Sequence, residues 1–448
     1  MLRLAPRPTP ADPTRFVHPA PSVLNVDGLR LVATHVPGDG LVDVRLLWPI
    51  GFVHEIPTGV GELVARSLGT CTASRDAYEF ACAVETLGAS VASEVTAEST
   101  VLRVDAVHDR VLPALDVGLD GLVAPDLAGV ERLRVEAVDA RRRSLADPRT
   151  RGRETLFASI HAGTPYERSR SASTAALQAV TPADLEEHVA RLRSVAPTVL
   201  VTGNLRRVDL NQIAAAVVGR LSLAGGAAEG HEATVPSTAG QIPRRVVVHR
   251  PGAVQSLVHL GHVAPARAHG DHASLLLGVS ALGGGFTSRL NLRLREDLGV
   301  TYGARAHVVA RRATGAIQIE AAVERDATRG AIDETLAVVT QQLTEGITSR
   351  ELHDIRTWLV RRAPQGYQTV RQTADAVASA LGLGLAPHQL GQLDDQIAAV
   401  SRDDVVEALR AHLRPDDLSL VVVGDADRVV DDLAQQHGPV TVIDEPAS

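Results

Sequence analysis

The chain has 448 residues, 45% of them hydrophobic and 22% charged, the balance of a globular protein long enough to bury more than one core. Its formal net charge is -8, from 45 basic and 53 acidic residues, which argues against a nucleic-acid surface. No apolar run approaches the ~18 residues of a membrane span, and the Pro-rich start MLRLAPRPTPADPTRF lacks the apolar centre of a secretory signal, so a cytoplasmic protein is expected.

The first stretch alternates as strands do, at Leu29–Ala33 and Val42–Leu47. A helix is expected from a Thr58 cap to about Leu68, and a second from a Ser74 cap to Gly88, where a glycine would end it. Strands are expected next at about 90–95 and 100–107. Helical spacing then covers about 111–122, 127–145 and 153–160. Cys71 and Cys82 form no C-x-x-C pair and read as small hydrophobes.

Residues 222–243, SLAGGAAEGHEATVPSTAGQIP, are linker-like and without periodicity. They divide the chain into 1–221 and 244–448. The two parts echo each other. Val180-Thr-Pro-Ala-Asp-Leu leads into a helix and then Thr198-Val-Leu-Val-Thr-Gly203. Val400-Ser-Arg-Asp-Asp-Val leads into a helix and then Leu418-Ser-Leu-Val-Val-Val-Gly424. A near-constant offset on both sides of a linker points to duplication. Each half is expected to be α+β, with helices packed on a mixed sheet.

The segments Val42–Thr70 and Ser74–Val104 resemble the pitrilysin family of metallopeptidases, the inverzincins, which include mitochondrial processing peptidase and insulin-degrading enzyme. In that family a helix carries H-x-x-E-H: two histidines one turn apart grip zinc, and the glutamate is the general base. A glutamate on a later helix completes the ligand set. Aligned on Gly59 and Gly69-Thr70, this chain has Glu62, Ala65 and Arg66 at the motif positions and Arg141 at the third ligand, or Arg142 or Arg143 after a slip. Arginine has no lone pair to give a metal. The resemblance therefore implies a degenerate metal position, filled by a Glu62–Arg66 pair or by Glu62 and the later arginines.

The second half keeps a different part of the family pattern. Leu282-Gly-Gly-Gly-Phe-Thr-Ser-Arg-Leu precedes Arg295-Glu-Asp-Leu-Gly-Val-Thr-Tyr302. The resemblance places Arg295 and Tyr302 on the family's Arg/Tyr pair, which hydrogen-bonds the substrate backbone and the developing oxyanion. It reads Gly283, Gly284 and Gly285 as a turn that a substrate backbone approaches. The resemblance implies a subunit without cofactor of its own, working with a homologous partner that carries H-x-x-E-H and zinc, on short or unfolded peptides. The alternatives are a catalytically inactive scaffold or peptide-binding protein, and a self-paired homodimer. His259 and His262 are three apart on a strand and cannot share an ion. His269, Asp271 and His272 read as solvated loop residues rather than as a zinc site.

Overall fold

The computed structural model describes residues 16–38, 40–127, 129–169, 171–221 and 244–444. The expected linker, 222–243, lies outside them. The first half runs β1 (Ser22–Val26), β2 (Leu29–His35), β3 (Leu41–Trp48), α1 (Val60–Leu68), α2 (Ala77–Thr86), β4 (Ser90–Val95), β5 (Thr100–Val107), α3 (Val111–Val123), α4 (Val130–Ala146), α5 (Pro148–Ile160), α6 (Thr174–Ala179), α7 (Pro182–Ser194), β6 (Thr198–Gly203) and α8 (Leu210–Arg220). The second runs β7 (Arg245–His249), β8 (Gln255–Ala264), α9 (His272–Gly283), a π-helix (Asn291–Asp297), β9 (Thr301–Ala310), β10 (Gly315–Glu324), α10 (Thr328–Glu345), α11 (Ser349–Arg362), α12 (Val370–Gly382), α13 (Gln392–Ala399), α14 (Arg402–His412), β11 (Ser419–Gly424), α15 (Ala426–His437) and β12 (Thr441–Asp444).

The two sheets have strand orders β1-β2-β6-β3-β5-β4 and β12-β7-β11-β8-β10-β9. Five strands of each correspond one to one. β6 lies parallel to β2 and antiparallel to β3, just as β11 lies parallel to β7 and antiparallel to β8. The sixth strands differ, since β1 is antiparallel to β2 whereas β12 is parallel to β7. The repeated helix-strand unit read from sequence is seen on both sides: α7 and α14 each begin with a capping box, Thr181 with Asp184 and Ser401 with Asp404.

Three helix starts differ from expectation. The cap of α1 is Gly59 in the left-handed region (φ 96°), not Thr58, because the buried Glu55 carboxylate accepts from the Gly59 amide at 2.7 Å. Asp76, not Ser74, caps α2, in a box with Glu79. α5 begins at Pro148, five residues before the expected start, with Asp147 accepting from the Arg149 and Thr150 amides.

Each half lends one helix to the other's sheet. Leu156 and Ile160 of α5 are buried with Val246, Val248, Val421 and Val423 of the second sheet. Val377 of α12 is buried with Val32, Leu47, Val101 and Leu200 of the first. Both helices have 13 residues. At the cost of ~25 cal/mol per Å² of apolar surface exposed, neither helix can leave its foreign sheet freely. The exchange brings the N-terminal turn of α5 beside the Gly-rich turn and β9.

Candidate functional site

The residues that the resemblance reads as a degenerate metal position stand on α1 and α4. Glu62 accepts from Arg66 at 3.1 Å, from the Ala172 amide at 3.1 Å and from the Ser171 hydroxyl at 3.2 Å. The expected Glu62–Arg66 pair is thus formed. The later arginines do not join it. Arg141 is buried and pairs with Glu154 of α5 through two bonds, at 2.8 and 2.6 Å, and Ser169 donates to the same carboxylate at 2.8 Å. Arg142 and Arg143 lie on the exposed face of α4. Arg141, Glu154, Ser169, Ser171 and Ala172 line one cavity of about 840 Å³ together with Arg244, Arg245 and Thr441 of the second half.

This chemistry does not fit zinc. Two of the three ligand positions hold permanent cations. The third holds a carboxylate whose oxygens already accept bonds from Arg66, Ser171 and Ala172. Ala65 is buried among Phe52, Val53, Val95 and Tyr166. It brings no base to the general-base position.

The second region lies at the C-terminal end of α9. A cavity of about 830 Å³ is lined by Gly283, Gly284, Gly285, Phe286, Asn291, Arg295 and Tyr302, and on the other side by Asp147, Arg149, Thr150 and Arg153 of the first half. Tyr302 is 95% exposed and Phe286 73% exposed. The Arg295 guanidinium carbon sits 3.4 Å from the centre of the Phe286 ring, a cation–π contact. Its Nε also donates to Glu296 at 2.9 Å. Glu296 is half exposed, so this pair is weak and the guanidinium can change partners at a cost of ~0–1 kcal/mol.

Arg295 stands on a π-helix. π-turns are rare and are found disproportionately at functional sites. The buried Asn291 organises the turn. Its amide nitrogen donates to the carbonyls of Gly285 and Ala304, both at 2.9 Å, and its oxygen accepts from the Ala304 amide at 2.9 Å. One side chain therefore ties the Gly-rich turn, the π-helix and β9 together. The three glycines are not equivalent. A Cβ at Gly283 would fall on the Ala306 amide of β9, whereas one at Gly285 meets nothing within 4 Å.

Sequence reasoning missed Asn291, Phe286, Glu154 and the arginines of α5. Arg149 and Arg153 share a helix face by i, i+4 spacing, a readable signal, but nothing local says that the face meets β9. His259 and His262 point apart, as expected. His259 contacts Gln318, and His262 accepts from the Arg414 amide at 3.1 Å. Around α9 it is His412, not His272, that joins His269 and Asp271. His412 Nε2 lies 2.7 Å from Asp271, and ligand atoms of the three residues fall within 4.8 Å of one another. Burial pushes His272 down to about 4. Among the described residues no helix is long and apolar enough to cross a membrane.

Residues 179–359, which contain the Gly-rich turn, Arg295 and Tyr302, match the family described as Peptidase M16 inactive domain. An uncharacterized zinc protease of Mycobacterium tuberculosis is 27% identical over 356 residues, 77% of this chain and 80% of that protein. A Helicobacter pylori protein called a non-peptidase homolog, YmxG, is 22% identical over 397 residues, 84% of this chain and 89% of that one. The crystal structure of a peptidase M16 inactive domain from Pseudomonas fluorescens superposes with a TM-score of 0.79 at 22% identity, covering 90% of this chain and 98% of that one. Residues 179–359 are thus similar to the M16 inactive domain, and nearly the whole chain is similar in fold to the Pseudomonas fluorescens domain of that description. The sequence has no H-x-x-E-H segment at Glu62–Arg66, and Arg295 and Tyr302 lie inside the matched stretch.

Proposed function

We propose that this chain is the zinc-free subunit of a two-subunit M16 endopeptidase, supplying Arg295 and Tyr302 to a homologous partner that carries H-x-x-E-H and the metal. One observation carries the reading: Arg295 and Tyr302 share a cavity with an open glycine turn, while the metal position of the same chain holds the cations Arg66 and Arg141. A chamber wall with donors and no metal is half of a hydrolytic site. The Tyr302 hydroxyl stands in solvent and is free to donate. Arg295 exchanges Glu296 for a peptide carbonyl as the substrate arrives. Both groups favour negative charge on the attacked carbonyl oxygen, and fixed donors of this kind are each worth ~10²–10³ in rate. The exposed Phe286 and Tyr302 form the kind of apolar surface that a peptide or partner covers. The peptide would add as a strand to a sheet edge of the partner.

The test is cleavage of unfolded peptides by this chain, by an H-x-x-E-H homologue and by their mixture, with zinc measured in each. Activity is expected in the mixture alone. Arg295→Ala and Tyr302→Phe are expected to lower turnover about 10²–10³-fold and leave the zinc content unchanged. Unchanged turnover would remove the pair from catalysis.

A second reading is supported by the likeness to the Helicobacter pylori non-peptidase homolog. In it the same fold binds peptides or scaffolds an assembly without contributing to cleavage. Full activity of the homologue alone would favour it.

A further inference from the structure

The two exchanged helices end in opposite electrostatic conditions. Where α12 crosses the first sheet, the charges are matched. Arg45 pairs with Asp43 at 2.7 Å and with Asp375 of α12 at 2.7 Å, and Arg371 of α12 pairs with Asp105 at 2.8 Å. Where α5 crosses the second sheet, they are not. The cavity at Arg295 is lined by Arg149 and Arg153 of α5 and Arg305 of β9, against Asp147 and Glu320.

Neither carboxylate closes an ion pair with those arginines, and two negative charges face three positive ones beside Arg295. Asp147 is committed as the α5 cap, accepting from the amides of Arg149 and Thr150 and from the Thr150 hydroxyl at 2.7 Å. Glu320 stands opposite Arg305 in the strand register and lies 3.9 Å from His259 on its other side. Among the described residues, Arg149, Arg153 and Arg305 form no ion pair within 4.0 Å. Arg149 and Arg153 are also like charges one helical turn apart, an arrangement that weakens a helix. All this occurs in a chain whose acidic residues outnumber its basic ones, 53 to 45.

We infer that this wall recognises carboxylates, with Arg149, Arg153 and Arg305 holding acidic side chains of the peptide that runs past Arg295 and Tyr302. The inference rests on the reading that a peptide occupies this chamber. It adds a substrate class: peptides rich in Asp and Glu, rather than basic ones. Arginine suits the task because its planar fork meets a carboxylate through two parallel hydrogen bonds. Three arginines from two elements, one in each half of the chain, give the site a fixed spacing. Phe286 and Tyr302 add apolar and aromatic surface at its rim.

The experiment is fluorescence anisotropy on the full chain alone, with a labelled Glu/Ser peptide and its Gln/Ser counterpart, each with a free and with an amidated C-terminus. The expected result is binding of the Glu peptide about tenfold or more tighter than the Gln peptide, the size of one charge-assisted contact. Added salt should erase the difference. Arg149→Gln with Arg153→Gln, and separately Arg305→Gln, should each reduce it. A preference that tracks the free C-terminus instead keeps the carboxylate site and assigns it to chain ends. Equal binding of Glu and Gln peptides, free or amidated, overturns the inference. So does a chain in which the Arg149/Arg153 change weakens only association with the H-x-x-E-H homologue, since the arginines then serve the subunit interface. No cleavage enters this measurement. A chain that selects acidic peptides yet adds nothing to a homologue's turnover would retire the catalytic reading and leave this one standing.

Discussion

Asn291 meets Ala304 with both ends of its side-chain amide, donating to the carbonyl and accepting from the amide at 2.9 Å each. The pair of bonds imitates a strand neighbour at the start of β9, two residues after Tyr302. A third bond, to the Gly285 carbonyl, joins the Gly-rich turn to the same side chain. The positions of Arg295 and Tyr302 relative to each other therefore depend on a residue whose side chain hydrogen-bonds neither of theirs.

Asn291→Ala is expected to strip partners from one backbone amide and two carbonyls at a 7%-exposed position. Each unsatisfied buried group costs ~1–3 kcal/mol, so a loss of about 2–4 kcal/mol in urea unfolding is expected after partial relaxation. Asn291→Asp keeps the acceptor but sets a carboxylate against two carbonyls, and should lose at least as much. If both variants unfold at the wild-type midpoint, the amide does not hold the turn.

The glycines make a second prediction. Gly283→Ala drives a methyl into the Ala306 amide and to 2.8 Å from the Arg305 carbonyl carbon, so a cost of ~1–3 kcal/mol from overpacking is expected. Gly285→Ala meets open space and should leave stability unchanged while weakening peptide binding. Thermal unfolding separates the two effects. A Gly285→Ala chain that binds peptide like the wild type would make the whole glycine run a packing device and end its assignment to substrate.

The architecture was legible where periodicity and repetition carry the information. The alternation at Val42–Leu47, the capped helix before Thr198 and its echo before Leu418 fall on β3, α7 and α14. That Arg295 and Tyr302 line one cavity was foreseeable because both lie in one short segment. The exchange of α5 and α12 was not. Leu156 and Ile160 announce a buried helix face, but spacing does not say which sheet buries it. The partner of Arg141 was hidden for the same reason, since Glu154 lies on the next helix, across the turn at Asp147-Pro148. The π-helix is a change in hydrogen-bond register, which apolar spacing does not encode.

The last prediction concerns acid. His161 is fully buried against Phe157 and Tyr166, and neither ring nitrogen has a hydrogen-bond partner. Burial, and then the Arg311 guanidinium, push its pKa down to about 4, and burial does the same to His188, His259 and His262. In the unfolded chain each titrates near 6.5. Between those values the unfolded state holds a proton that the folded state refuses. The stability from the neutral ring is therefore complete above about pH 6.5 and is lost as pH falls toward 4. At about pH 5 the loss for one such histidine is about 2 kcal/mol, from 1.36 kcal/mol per unit. His161→Phe keeps a ring beside Phe157 and Tyr166 and removes the titration. Urea unfolding at about pH 7.5 and pH 5 should show the wild type losing more stability than the variant, by roughly that 2 kcal/mol. Equal losses would mean that His161 takes up its proton in the folded chain as readily as in the unfolded one.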